Sequence, residues 1–200
     1  MIFDIFAGFL GSLIFLFIFW KKLREDYAGG QVFNSAIYIL FGTYLGAFLA
    51  FKFYSPIWFW AGFFGLLIGL LFAEIRFKFR FFETLEAVVI GILPTISLVF
   101  LSDSVKTSSI YSFAAFIAIV LLMGLYYYLD KYYKTFSWYR SGRIGFSGLS
   151  VAGLLFLLRA LFALPFSFVL SFVNRYEVIL SGITAFIFFL LTFNLARRET

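Results

Sequence analysis

One side chain stands out as a candidate for chemistry: Arg159, which lies inside the apolar segment Phe156 to Leu161. An arginine within a membrane span costs about 2.5–3.5 kcal/mol on insertion scales, so it usually faces a cavity, a carboxylate or an anionic headgroup. Alternatively, it snorkels, extending its charged end to the headgroup region from a lipid-facing position. We therefore predict a phosphate- or headgroup-binding role for Arg159, with snorkelling as the alternative.

The other polar candidates have more ordinary interpretations. Tyr111 lies near the start of an apolar run, where it either hydrogen-bonds a lipid headgroup or anchors the helix at the interface. Glu83 and Glu86 precede another run, where negative charge complements the helix dipole, so capping suffices to explain both. Asp103 and Lys106 are predicted to form a solvated pair in a short loop.

Several kinds of chemistry are excluded by composition. The chain has no cysteine and no histidine, which removes disulfides, thiolate catalysis, histidine bases and the commonest metal ligands. It contains no glycine-rich phosphate loop, nucleophile elbow or metal-binding motif. We therefore predict no cofactor and no metal, and any reaction would use Asp, Glu, Tyr, Ser, Lys or Arg.

The composition predicts a membrane protein. Hydrophobic residues make up 64% of the 200 residues and charged residues only 13%, against roughly half and a quarter in soluble domains. The net charge of +6 does not indicate nucleic-acid binding, because the basic residues form short clusters between apolar runs. We predict an all-α, polytopic membrane bundle that forms a single domain over residues 1–200.

Seven apolar runs are long enough to span a bilayer, which needs about 20 residues. The first run has no basic segment before it and exceeds the roughly 7–15 residues of a signal-peptide core, so it is predicted to be a membrane helix. The predicted spans are Ile2 to Trp20, Val32 to Phe51, Pro56 to Ala73, Thr84 to Leu101, Ser109 to Leu129, Gly145 to Pro165 and Val178 to Leu195.

The distribution of positive charge predicts the orientation, since cytoplasmic loops retain Lys and Arg. Of the 16 basic residues, 12 fall on one side of seven spans, three fall on the other, and Arg159 lies within a span. The N-terminus is therefore predicted outside and the C-terminus in the cytoplasm. The cytoplasmic set is Lys21, Lys22, Arg24, Arg76, Lys78, Arg80, Lys131, Lys134, Arg140, Arg143, Arg197 and Arg198, and the outer set is Lys52, Lys106 and Arg175.

Glycines and aromatic residues predict how the helices pack and where they end. Gly42 and Gly46 in the second run, and Gly62, Gly65 and Gly69 in the third, are spaced for close helix approach. Tyr and Trp clusters near the predicted helix ends indicate interfacial anchors; they include Trp58-Phe59-Trp60 and Tyr126-Tyr127-Tyr128.

Five segments, in order, resemble motifs of the bacterial prolipoprotein diacylglyceryl transferases. The motifs are G-A-R-L-G-Y, H-G-G-L-x-G, F-x-E-L-x-D, P-S-Q-L-Y-E and P-G-x-x-x-G-x. They are matched in turn by Gly42 to Ala47, Phe64 to Gly69, Phe82 to Glu86, Ser108 to Ser112 and Ser141 to Phe146. The resemblance implies seven helices with the N-terminus outside. It also implies diacylglycerol transfer from phosphatidylglycerol to a lipoprotein cysteine at the outer leaflet.

The sequence departs from the family at positions tied to that activity. Phe64 stands where the family has histidine, and Tyr44 stands where its second helix has arginine. Arg159 corresponds, with a shift in spacing, to the arginine of the family's Y-G-x-F-R segment. The resemblance implies that Arg159, Tyr111 and Tyr44 bind the lipid.

Two functions follow as hypotheses. The first is an outer-leaflet protein of the diacylglyceryl transferase type, active or degenerate, in a bacterial plasma membrane. Its partners would be a phosphatidylglycerol-like phospholipid and a prolipoprotein or another membrane protein. The alternative is a non-enzymatic module, either a transporter's substrate-binding subunit or a scaffold. A lateral cleft lined by Arg159, Tyr111 and Tyr44 would favour the first, and a bundle closed at this level would favour the second.

Overall fold

The computed structural model describes residues 2–136, 139, 144–166, 171–173 and 176–197, which form seven α-helices and no strand. Each helix is long and apolar enough to cross a membrane, so the prediction of an all-α, multi-pass bundle is confirmed. The helices are α1 (Ile2–Leu23), α2 (Gly29–Phe53), α3 (Trp58–Phe77), α4 (Phe81–Thr107), α5 (Ile110–Tyr132), α6 (Phe146–Ala163) and α7 (Tyr176–Arg197).

Some predicted features fall outside the described residues. These are residues 141–143 of the segment that resembles the fifth motif, and four of the basic residues used to predict orientation. The four are Arg140, Arg143, Arg175 and Arg198.

Several helices extend beyond their apolar runs. Helix α4 continues to Thr107 rather than ending near Leu101, and α2 begins at Gly29 rather than near Val32. A helix can continue from the membrane interior into polar residues at the bilayer surface, because helical hydrogen bonds go on satisfying the backbone there. Helix α6 ends at Ala163, two residues before Pro165, which has no N–H to donate to a helical hydrogen bond.

Helix α4 lies at the centre of the bundle, packed between α1, α5 and α6, and α6 pairs in turn with α7. Small residues allow the closest approaches to α4. A methyl group added at Gly11 would lie 2.8 Å from the Thr95 side chain, and one at Gly148 would lie 2.8 Å from the Glu86 backbone. The Thr95 hydroxyl also donates to the Gly11 carbonyl at 3.0 Å. These contacts fix α1 and α6 against α4.

Helices α2 and α3 form a hairpin in which the backbones of the two helices are in direct contact. A Cβ atom added at Gly42 would lie 2.2 Å from the Gly65 carbonyl oxygen, and one at Gly46 would lie 2.1 Å from the Ala61 carbonyl oxygen. A Cβ atom added at Gly69 would lie 2.5 Å from the Tyr38 carbonyl oxygen of α2. The predicted close helix approach at these glycines is therefore confirmed, and the structure shows that the two glycine-bearing helices are each other's partners.

The α2–α3 hairpin meets α6 through large aromatic side chains. The ring centroids of Phe59 and Phe63 lie 6.2 and 5.0 Å from that of Phe156. Trp60 completes the cluster, with its ring centroid 5.6 Å from Phe156. The ring of Phe59 in this cluster also contacts the guanidinium group of Arg159.

Candidate functional site

Arg159 is bound to a carboxylate inside the bundle. Only 6% of Arg159 is exposed, and its Nη2 and Nε atoms donate to Oε1 of Glu177 at 2.7 and 3.0 Å. Its Nη1 and Nη2 atoms donate to the hydroxyl and carbonyl oxygens of Ser171 at 2.9 and 3.0 Å. Snorkelling is therefore wrong for this arginine, because the bundle itself supplies the anion.

Glu177 joins α3, α6 and α7 and also contacts Val173 in the α6–α7 connection. It is completely buried in the first turn of α7 and accepts a hydrogen bond from Nε1 of Trp60 in α3 at 2.9 Å. The Ser181 hydroxyl donates to it at 2.6 Å and the Val173 N–H at 3.4 Å. A buried charge is tolerated only when it is paired and hydrogen-bonded, and both conditions are met here.

Aromatic rings stabilise the guanidinium group of Arg159. Its central carbon lies 3.6 Å from the ring centroid of Phe59 and 5.1 Å from that of Phe172. A cation over an aromatic face is attracted by the ring quadrupole, and more strongly when water is excluded. Arg159 is thus held on one edge by Glu177 and on its flat face by Phe59.

A cavity of about 270 Å³ lies beside Arg159, between α4, α5 and α6. Among its described lining residues, only Arg159 and Tyr111 carry polar side chains; the others are Phe59, Ile96, Phe100, Ala114, Ala115, Ala118, Ile119, Leu122, Leu155, Leu158, Phe162, Phe166 and Phe172. Three alanines on α5 leave the space that larger side chains would fill. The exposure of Tyr111, Ala114 and Phe162 opens the cavity at the side of the bundle, so it is not closed at this level.

Tyr44 lies apart from the other two predicted site residues. Its hydroxyl donates to the Gly8 carbonyl at 3.0 Å and lies 2.7 Å from the Ser12 hydroxyl, so it faces α1. Tyr44 lines a second cavity of about 160 Å³ whose walls include α2, α3 and α4. The two cavities share Phe59, Ile96 and Leu155 as lining residues. The structure therefore brings Arg159 and Tyr111 to one cavity, and the expected cleft with all three residues is divided in two.

Glu86 belongs to a second buried network, at the opposite end of the bundle from Arg159. It lies 2.9 Å from Nζ of Lys22, accepts from the Tyr126 hydroxyl at 2.9 Å and accepts from the Gly145 N–H at 2.6 Å. Lys22 also donates to Asp130 at 3.0 Å. Capping does not suffice to explain Glu86, since the carboxylate joins α1, α4, α5 and the start of α6.

Glu83 has partners from outside the membrane spans. Its two carboxylate oxygens accept from the Arg80 side chain at 2.9 Å and from the Tyr27 hydroxyl at 3.0 Å. Burial raises the pKa of the Tyr27 hydroxyl above its usual value. Asp103 accepts a hydrogen bond from the Ser112 hydroxyl and so joins the ends of α4 and α5.

Sequence reasoning missed Glu177, Trp60 and Ser171. The predicted seventh span begins at Val178 and leaves Glu177 in the preceding loop. The sequence also predicts interfacial anchors at Trp60 and Tyr126, yet Trp60 is 1% exposed and Tyr126 is 6% exposed. One signal was available for Glu177. Arg159 lies one turn before the end of α6 and Glu177 in the first turn of α7, so an antiparallel pair of helices brings them to one level.

The described residues contain no group of three or more His, Cys, Asp or Glu side chains that could hold a metal ion. Comparison of the chain with models of protein families, with curated proteins and with solved structures finds no match. The resemblance to diacylglyceryl transferases stays a prediction, and the site is interpreted from its geometry alone.

Proposed function

We propose that this protein binds a glycerophospholipid of the outer leaflet, in a bacterial plasma membrane, with an acyl chain in the cavity between α4, α5 and α6. One observation carries the proposal: an almost entirely apolar cavity opens at the side of a membrane bundle and has Arg159 and Tyr111 in its wall. Ligand sites typically combine an apolar lining with a few polar groups that orient the ligand. A lipid tail matches the lining, and it can enter from the bilayer without crossing water.

The depth of the cavity supports the outer leaflet. Its lining comes from the end of α4, the start of α5, the end of α6 and the first turn of α3. With the N-terminus outside, as the positive charges predict, all four of these segments lie in the outer half of the membrane.

Binding without group transfer is the form of this function that the electrostatics favour. Transfer of diacylglycerol to a cysteine needs positive charge at the departing glycerol phosphate and a base for the thiol. The charge of Arg159 is offset by Glu177 at 2.7 Å, and the chain has no histidine. We therefore propose a lipid-binding relative of the transferase type rather than an active enzyme.

Filling the cavity tests lipid binding directly. Ala118→Phe places a ring in the cavity, and Leu121→Phe adds a similar ring on the same helix at a position that is 68% exposed and lipid-facing. Native mass spectrometry of the purified proteins with added phospholipid should show lipid adducts on the native protein and Leu121→Phe, and at least tenfold fewer on Ala118→Phe. Equal adducts on both variants would disprove binding in this cavity.

Complementation tests the absence of transfer. The chain is expressed in bacteria depleted of their own diacylglyceryl transferase, and lipid attachment to a reporter prolipoprotein is measured after membrane insertion has been verified. We expect no lipidation. Lipidation that Arg159→Ala abolishes would instead establish a transferase that works without the usual histidine.

A further inference from the structure

Among the described residues, the hydrogen bonds of Arg159 use four of its five donors. A guanidinium group has five N–H bonds. Four of them point to acceptors on Glu177 and Ser171, one from Nε, one from Nη1 and two from Nη2. The second N–H of Nη1 has no acceptor among the described residues. Because a buried donor without an acceptor is costly, and because Arg159 lines the cavity, a bound molecule is well placed to accept this bond.

The charge at this site selects the kind of acceptor. Arg159 and Glu177 form a neutral pair, and the remaining described lining residues of the cavity are uncharged at neutral pH. A phosphate would gain little net attraction, would be repelled by Glu177, and would lose its water in an apolar cavity. An uncharged carbonyl oxygen loses much less on leaving water and needs only one donor.

We infer that the cavity recognises the ester carbonyl of a glycerolipid through the remaining Nη1 N–H of Arg159, so that lipid selection is independent of headgroup charge. This inference rests on the proposed lipid binding and adds which chemical group of the lipid the protein recognises. The acyl chain attached to the ester enters the apolar part of the cavity, lined by the α5 alanines, and the headgroup stays outside the site. Anionic and zwitterionic phospholipids would therefore bind alike.

Competition between three lipids tests the inference. The purified protein is mixed with equal amounts of a diester phosphatidylglycerol, a diester phosphatidylcholine and a diether phosphatidylcholine of matched chain length, and adducts are counted by native mass spectrometry. We expect the two diesters to bind within threefold of each other. The diether, which has no carbonyl, should bind at least tenfold more weakly, equivalent to about 1.4 kcal/mol.

Two variants separate charge from hydrogen bonding. Glu177→Gln removes the anion and leaves Arg159 with a net positive charge, so phosphatidylglycerol should become preferred over phosphatidylcholine by at least tenfold. Ser171→Ala removes the hydroxyl that accepts from Nη1 but changes no charge. It should keep the preference for esters and should not discriminate between the two headgroups. If Glu177→Gln fails to fold, the competition between the three lipids on the native protein still tests the inference.

The outcomes distinguish the inference from the proposed function. A tenfold preference of the native protein for phosphatidylglycerol, or equal binding of diester and diether, would overturn ester recognition. Either result leaves lipid binding intact if Ala118→Phe still abolishes the adducts. The absence of adducts with all three lipids would overturn both.

Discussion

Separating the buried ion pair is expected to destabilise the protein strongly. Glu177→Leu leaves the Arg159 guanidinium unpaired at 6% exposure and also removes the acceptor of the Trp60 N–H. Removing one partner of a buried pair costs about 3–5 kcal/mol, and an orphaned buried donor adds about 1–3 kcal/mol. Arg159→Met should cost about 3–5 kcal/mol, because it leaves the Glu177 carboxylate buried without its cation.

The double variant provides the decisive measurement. Arg159→Met with Glu177→Leu removes both charges and retains comparable volume, a replacement that is often neutral or stabilising in buried pairs. The orphaned Trp60 N–H still costs about 1–3 kcal/mol. We therefore expect the double variant to lose less free energy than either single variant, which corresponds to a coupling of at least about 3 kcal/mol.

Reversible unfolding in mixed detergent and SDS micelles measures these free energies. Arg80→Met is the matched control, since Arg80 also pairs with a glutamate, Glu83, but its own side chain is 76% exposed. It should change stability far less than Arg159→Met. Losses that simply add in the double variant would show that Arg159 and Glu177 do not interact, and would refute the reasoning.

Two further predictions concern the hairpin and the orientation. Gly65→Ala should separate α2 from α3 and destabilise the protein by at least about 1–3 kcal/mol, because the added Cβ would lie 2.0 Å from the Gly42 carbonyl oxygen. Gly124→Ala should not destabilise the protein, because its added Cβ meets nothing within 4 Å. Equal unfolding free energies for the Gly65→Ala and Gly124→Ala variants would disprove the packing. A reporter that works only in the cytoplasm should be active when it is fused after Arg197, because 12 of the 16 basic residues fall on the predicted cytoplasmic side. Activity of a reporter that works only outside the cytoplasm would contradict the predicted orientation.

The sequence alone was enough to predict the helices and the glycines of α2 and α3 at which helices pack closely. Spans depend on length and local hydropathy, because lipid requires each segment to satisfy its own backbone hydrogen bonds. The glycine spacing likewise indicated that these helices approach closely. It did not specify the pairing of Gly42 with Gly65, because spacing along one helix does not determine its register on another.

Arg159 could be recognised from the sequence as a candidate site residue, since an arginine within an apolar segment is costly in a membrane and requires a partner. The sequence can place Glu177 at the same level as Arg159, but it does not predict their contact, because α3, α6 and α7 must assemble before Trp60, Arg159 and Glu177 meet. The same limit applied to Glu86, whose contact with Lys22 joins residues far apart in the chain.

The direction of Tyr44 towards α1, and hence the division of the expected cleft, also depends on helix neighbours and side-chain rotamers. Local sequence thus determined which segments enter the membrane, and tertiary packing decided which buried charges neutralise each other and which face remains open to lipid.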